Sequence, residues 1–266
     1  MTRAFRRETR VAMDAVGRGL DLARRRVGAD AITSKGGRDL VTATDVAVED
    51  ALRAMVSDAV GFPVVGEERG GEAPPDGSSY WLVDPICGTR NFASGNPLYC
   101  VNLALVEGGQ ITLAVVGDSS TGEIHVAERG GGTWAIKDDS PCSLTTSGES
   151  HTVVVEVGGR STGPRREHAA RFVAGAIRAD RWDLRALGTT LSLPYVAAGR
   201  VAAYVLFSTS AVHAGAGSLL VTEAGGVLSD LDGRPWTIQS DSIVASADPR
   251  LHRELLDLAR AAVTPG

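Results

Sequence analysis

The sequence has few cysteines and no pattern that would pair them. Its 266 residues include only Cys87, Cys100 and Cys142, too few for the disulfide framework of a small secreted domain. A bridge between Cys87 and Cys100 is a minor alternative. The cysteine content therefore predicts a chain that folds in the reducing cytoplasm.

The sequence also lacks an excess of positive charge and any long hydrophobic run. Its formal net charge is −5, and its longest basic run is Arg24–Arg26, which argues against nucleic acid or an anionic membrane as partner. No stretch approaches the ~18 apolar residues of a membrane span. The first residues, 1–7, lead into no apolar signal segment. We expect neither membrane insertion nor export.

What the sequence does contain is helical and strand patterns in alternation, without repeats. Apolar residues at helical spacing predict a helix ending at Gly28 and a second from about Asp45 to Val60. Shorter apolar runs and alternating segments predict strands at 63–65, 81–86, 102–106, 110–117, 123–128 and 133–137, the last four forming an antiparallel meander. Further on, strands are predicted at 152–157, 202–207, 227–229 and 243–246, and helices at 165–179, 189–199, 214–224 and 249–263.

These patterns predict an α+β fold in which helices and mixed sheets form layers. The polar stretch Ser143–His151 is the expected seam between an N-terminal half, residues 1–146, and a C-terminal half, residues 147–266.

Acidic residues end two of the predicted strands. Glu67 follows one strand and Asp84 ends the next, so their carboxylates converge on a hard cation if the strands are neighbours. The alternative is that acidic residues merely terminate strands. After Asp84, Gly88 permits a tight turn and Thr89 stands at a predicted helix start, where exposed amides bind phosphate. Carboxylates beside such a turn are typical of phosphoryl transfer.

Motifs along most of the chain resemble the inositol monophosphatase family of metal-dependent phosphatases. In family order they are Lys35 with Asp39–Asp45, Gly66–Glu68, Asp84–Phe92, Arg185–Thr189 and Ala214–Gly226. The resemblance implies a layered α-β-α-β-α sandwich and a homodimer. It also implies hydrolysis of a small phosphate monoester by a magnesium-activated water.

The resemblance further implies a complete first metal site. Its ligands fall on Glu67, Asp84, the carbonyl of Ile86 and the hydroxyl of Thr89. Asp45 matches the residue that helps Thr89 orient the attacking water.

The phosphate-binding part of the loop also has counterparts here. The amides of Gly88 and Thr89 match the family's phosphate cradle. Arg90 lies two residues past Gly88 and is a candidate for contacting a substrate anion, with a surface role as the alternative.

Three positions depart from the family pattern. Cys87 and His213 stand where the family has two aspartates of its second metal site. Leu206 stands where the family has a sugar-contacting glutamate, and a buried apolar group there disfavours a polyol substrate.

These departures leave three interpretations open. We favour a scaffold repurposed for other chemistry on a small soluble metabolite, with Cys87 and His213 as nucleophile and base or His213 acting alone. The second is retained phosphate ester hydrolysis with magnesium at one site, or with zinc held by Asp84, Cys87 and His213. The third is a non-catalytic paralogue that binds a ligand or a partner. The cofactor is accordingly magnesium at one site, zinc or none, and ordinary magnesium-dependent activity is expected to be weak or lost.

The remaining histidines and cysteines suggest no further site. His125, His151, His168 and His252 show no metal-like spacing, so we expect them at the surface or in loops. Cys100 and Cys142 are expected to behave as small buried residues.

Overall fold

The computed structural model describes residues 4–29, 33–36, 39–158 and 162–263. Within them lie seven helices: α1 (Arg7–Arg24), α2 (Ala43–Val60), α3 (Thr89–Ala93), α4 (Gly163–Ala179), α5 (Ser192–Ala197), α6 (Ala211–Glu223) and α7 (Pro249–Val263). The strands of the first half are β1 (Thr33–Gly36), β2 (Asp39–Val41), β3 (Val64–Gly66), β4 (Tyr80–Cys87), β5 (Cys100–Glu107), β6 (Gln110–Asp118), β7 (Ile124–Glu128), β8 (Thr133–Lys137) and β9 (Ser140–Leu144). Those of the second half are β10 (Thr152–Glu156), β11 (Asp183–Arg185), β12 (Ala203–Leu206), β13 (Val227–Ser229) and β14 (Ile243–Ser246).

The larger sheet has seven strands that follow chain order from β3 to β9. β3 and β4 are parallel, and each later pair is antiparallel. The central strands are buried on both faces, because α1 and α2 pack on one face and α6 packs on the other.

The smaller sheet has the strand order β11-β10-β12-β14-β13. Its side chains alternate between two cores, as the period of a strand requires. Tyr204 and Leu206 of β12 belong to the core shared with α5 and α6, whereas Ala203 and Val205 face the core formed with α4 and α7. The order of layers is therefore α1/α2, the larger sheet, α5/α6, the smaller sheet and α4/α7, which confirms the α-β-α-β-α sandwich.

Most predicted elements occur within a few residues of the expected bounds. β9 was not predicted, because its exposed residues include Pro141 and carry no apolar alternation. The predicted start of α5, at residue 189, is too early, because the helix begins at Ser192. Pro194 lies in its first turn, where the N–H that proline lacks would have no partner within the helix.

The division into halves at 146/147 remains a prediction. Each sheet is formed by strands of one proposed half, but the hydrophobic core between the two sheets contains side chains from both halves. The side chains of residues 35–40 lie outside the described part of the chain, so the motif residues Lys35 and Asp39 are not placed.

The predicted placement of three isolated side chains, those of His125, His252 and Cys142, is wrong. His125 has 0% of its surface exposed and His252 has 6%, because both point into cores. His252 is held by the hydroxyls of Ser246 and Ser229, each 2.9 Å from a ring nitrogen. Cys142, expected to be buried, is exposed on β9.

None of the helices in the described ranges is long and apolar enough to cross a membrane.

Candidate active site

Side chains from β3, β4 and α6 meet at one edge of the larger sheet. Parallel pairing aligns Gly66 with Val83, so Glu67 emerges beside Asp84. His213 lies in the first turn of α6, and its Nδ1 is 2.9 Å from Asp84 Oδ2 and 3.8 Å from Glu67 Oε2. One imidazole therefore contacts both carboxylates that the sequence suggested would converge.

Asp84 is fully buried and only partly satisfied. Its Oδ2 receives His213 Nδ1, and Asn102 Nδ2 lies at 3.5 Å. Its Oδ1 has no hydrogen-bond partner among the described residues. Because a buried carboxylate oxygen normally has a partner, this oxygen fits a bound cation. Glu67 and the Ile86 carbonyl carry oxygen atoms of the kind that magnesium prefers.

Asp45 and Thr89 form a second group at this edge. Thr42 caps α2 and donates both its amide and its hydroxyl to Asp45 Oδ2, which fixes the carboxylate. Thr89 Oγ1 lies 3.1 Å from Asp45 Oδ1 and 3.2 Å from the Ile86 carbonyl. Burial raises the pKa of Asp45, against the hydrogen bonds from Thr42 and Thr89, which lower it.

The turn that leads into α3 requires glycine at position 88. Gly88 has φ +111°, and a Cβ there would lie 3.1 Å from the Leu98 carbonyl oxygen. The turn directs the chain into α3 at Thr89, and the first amides of a helix have no partner within it. Arg90 is exposed on α3.

Cys87 is enclosed rather than presented to solvent. Its side chain is 8% exposed, and Thr190 donates its hydroxyl to Sγ at 2.9 Å and its amide at 3.3 Å. The hydrogen bond with Cys100, burial and the nearby Asp84 carboxylate raise the pKa of Cys87 well above its usual value. The sulfur is therefore a covered thiol at neutral pH.

The pKa of His213 is also raised, which in a histidine favours the charged form. Burial alone would lower its pKa, but the hydrogen bond to Asp84, the contact with Cys87 and the charge of Glu67 raise it well above the usual value. One ligand atom each from Asp84, Cys87 and His213 lie within 4.8 Å of one another. Two of the three positions that depart from the family pattern, Cys87 and His213, thus adjoin each other and Asp84.

Leu206 is packed in the core with 5% of its surface exposed, so its assignment to substrate binding stays a prediction. Its neighbour in the β10–β12 register is Glu156, a residue that was not predicted to belong to the site. Glu156 Oε1 accepts the amides of Leu187 and Gly188 at 2.6 Å each and holds the segment that continues to Thr190.

Glu49 is a second residue that the sequence analysis missed. It is fully buried on α2 and accepts the Arg53 guanidinium and the amides of Glu68 and Arg69. It thereby fixes the turn that carries Glu67. A Cβ at Gly66 would lie 2.1 Å from Glu49 Oε1, so this approach requires glycine. The sequence signal that could have identified Glu49 is an acidic residue on the apolar stripe of α2, between Val48 and Leu52.

Glu49→Ala is expected to lower the free energy of unfolding by about 3 kcal/mol, because it leaves two amides without their acceptor and removes the carboxylate partner of the half-buried Arg53 guanidinium. Urea denaturation measures the change. Asp50→Ala is the matched control on the next residue, where the pair with Arg69 is solvent-exposed and should contribute little. Equal effects at the two positions would contradict this role of Glu49.

Comparison with known proteins agrees with the fold and the motifs. The family model described as "Inositol monophosphatase family" matches residues 6–264. An inositol-1-monophosphatase ImpA from Mycolicibacterium smegmatis is 32% identical over 241 residues, covering 89% of this chain and 86% of the relative. An inositol-1-monophosphatase from Mesorhizobium japonicum is 36% identical over 218 residues, covering 80% of each chain.

Solved structures of similar proteins share this fold. The extragenic suppressor protein SuhB from Bartonella henselae superposes with a TM-score of 0.85 at 25% identity, covering 95% of this chain and 98% of that one. With a family match across almost the whole sequence and relatives above 30% identity, the chain belongs to the inositol monophosphatase family.

Proposed function

We propose that this protein hydrolyses a small phosphate monoester with one divalent cation, held by Glu67, Asp84 and the Ile86 carbonyl. The observation that carries the proposal is the buried, unpartnered Oδ1 of Asp84 beside Glu67. The magnesium on which the family depends is the expected ion. A cation bound there neutralises charge on the phosphoryl group and lowers the pKa of water.

The protein's own groups orient the reactants. Asp45 accepts a hydrogen bond from the Thr89 hydroxyl, which leaves the Thr89 oxygen able to accept a hydrogen bond from the attacking water. Because Thr42 fixes Asp45, the pair is preorganised. The amides of Gly88 and Thr89, which match the family's phosphate cradle, would donate to phosphate oxygens.

His213 supplies positive charge where relatives with aspartates would hold a second ion. Its Nδ1 already contacts Asp84 and Glu67, and a protonated imidazole carries one charge rather than two. We therefore expect turnover below that of relatives with both aspartates, because less charge offsets the developing phosphoryl charge.

A thiol mechanism at Cys87 is less well supported. Nucleophilic catalysis needs an accessible thiolate, whereas Cys87 is 8% exposed and its pKa is raised. The geometry thus favours hydrolysis over the repurposed chemistry that the sequence suggested. A homodimer, implied by the family, remains part of the proposal and is measurable by sedimentation.

The experiment is release of inorganic phosphate from a panel of monoesters in magnesium, comparing the wild type with Cys87→Ala. The panel includes inositol 1-phosphate and esters with fewer hydroxyls, since Leu206 replaces the family's glutamate. We expect measurable hydrolysis that Cys87→Ala retains within about tenfold, because the thiol takes no part in general acid–base or cation chemistry. Abolished activity in Cys87→Ala together with an alkylation-sensitive wild type would support a covalent mechanism instead.

A further inference from the structure

A second group of polar side chains lies where the β6–β7 turn meets α5, in a part of the molecule that the proposed hydrolysis does not use. At its centre is His125 of β7, which pairs with Val116 on one side and Ala135 on the other. The imidazole is fully buried. Neither ring nitrogen has a hydrogen-bond partner among the described residues. Because buried polar groups are normally satisfied, this ring fits a ligand that the hydrogen bonds of the described residues do not supply.

Two carboxylates face the same point. His125 Nε2 is 3.5 Å from Glu123 Oε2, and one ligand atom each from Asp118, Glu123 and His125 lie within 4.8 Å of one another. Ligands at zinc-bond lengths in a tetrahedral site are separated by about 3.4 Å. The 3.5 Å between His125 Nε2 and Glu123 Oε2 is close to this ligand–ligand separation.

Charge at this point is also unbalanced. Arg200 donates to both oxygens of Glu123, at 2.8 and 2.6 Å, and neutralises one carboxylate. Buried Asp118 receives only neutral donors: Ser120 and Thr121 at Oδ1, and the Tyr195 hydroxyl at Oδ2, 3.0 Å away. One buried negative charge thus remains beside an unpartnered imidazole, which is the arrangement that a cation would complete.

Open space adjoins the side chains that contact Asp118 and Glu123. A cavity of about 470 Å³ is lined by Thr121, Tyr195 and Arg200, among others. Tyr195 belongs to α5 and Arg200 follows it. A cation between Asp118, Glu123 and His125 would join the β6–β7 turn to α5 through these same contacts.

We propose that Asp118, Glu123 and His125 form a structural site for a transition-metal ion of the zinc class, separate from the active site. The set of one imidazole and two carboxylates selects zinc or a similar ion over magnesium, which prefers oxygen ligands alone. Bound metal stabilises the junction of the larger sheet with α5.

The test is titration of chelator-treated full-length protein with zinc, and with cobalt as a spectroscopic probe. Zinc in hundredfold excess over its Kd is expected to raise the thermal unfolding midpoint by about 5 °C, and cobalt is expected to give visible absorption typical of a low-coordinate site. His125→Phe keeps the buried volume but removes the ligand, so it should lose the cobalt band and weaken zinc binding at least about tenfold.

Two further variants keep the result interpretable. His213→Ala removes the imidazole of the active site, and it should retain the cobalt band and the zinc-dependent shift if the ion binds at His125. Glu123→Gln removes a ligand without removing His125, and it should weaken zinc binding if His125→Phe fails to fold. A zinc response that persists in both His125→Phe and Glu123→Gln, or disappears in His213→Ala alone, would overturn the proposal, as would a wild type that does not respond to zinc.

Discussion

Asp84→Asn is expected to lower kcat/KM for phosphate monoester hydrolysis by about a thousandfold, because loss of the carboxylate charge removes roughly 4 kcal/mol of cation-dependent transition-state stabilisation. Asp84 is the residue on which the proposed site most depends. It is fully buried, contacts His213 and offers Oδ1 to a cation. The amide of asparagine keeps the shape of the side chain but lacks its charge.

Steady-state kinetics at increasing magnesium concentration measures this effect. Glu67→Gln should produce a smaller loss, partly recovered at high magnesium, because Asp84 remains to hold the ion. Circular dichroism separates loss of activity from loss of fold. Wild-type activity in folded Asp84→Asn would show that the reaction does not use this carboxylate.

Thr89→Val is expected to reduce kcat by about a hundredfold while changing KM little, because the hydroxyl that orients water is lost and the side-chain shape is kept. The hydroxyl lies 3.1 Å from Asp45 Oδ1, so it acts as part of a pair. Asp45→Asn should therefore cause a loss of similar size, and the double variant should be little worse than either single variant.

Thr89→Ser is the matched control, since serine restores the hydroxyl at the same position. Recovery of most of kcat in Thr89→Ser would assign the effect to the hydroxyl. Equal losses in the valine and serine variants would assign it to packing of the methyl group and would contradict the water-orienting role.

The layers of the fold were predictable because strands and amphipathic helices leave periodic patterns. The apolar stripes of α1 and α7 reflect burial of one helix face, and the long apolar runs of β5 and β6 reflect burial of both faces of the sheet. β9 was not predictable in this way, since it is an exposed edge strand with no buried face.

The convergence of Glu67 and Asp84 was also predictable, because each follows a strand and the two strands are neighbours. The contact of His213 with Asp84 was not derivable from spacing, since 129 residues separate the two. Only the order of family motifs placed them at the same site.

The partners of buried polar residues were the features least predictable from the sequence. Glu49 is one acidic residue on a helix, and its role depends on amides of a turn some twenty residues later. His125 was assigned to the surface or to a loop because a single histidine in a strand has no pattern of its own. Both errors arise because sequence periodicity reports which face is buried, and not what a polar group on that face contacts.

The most direct test of the account is the magnesium dependence of phosphate release by the wild type and by Cys87→Asp/His213→Asp. We predict a wild-type rate that follows a single-ion binding curve. In the double variant we predict a higher rate that depends on two ions, because the two added carboxylates bind a second ion whose double charge replaces the single charge of the imidazole. A wild type that requires two ions would contradict the account, and so would one that releases no phosphate at any magnesium concentration.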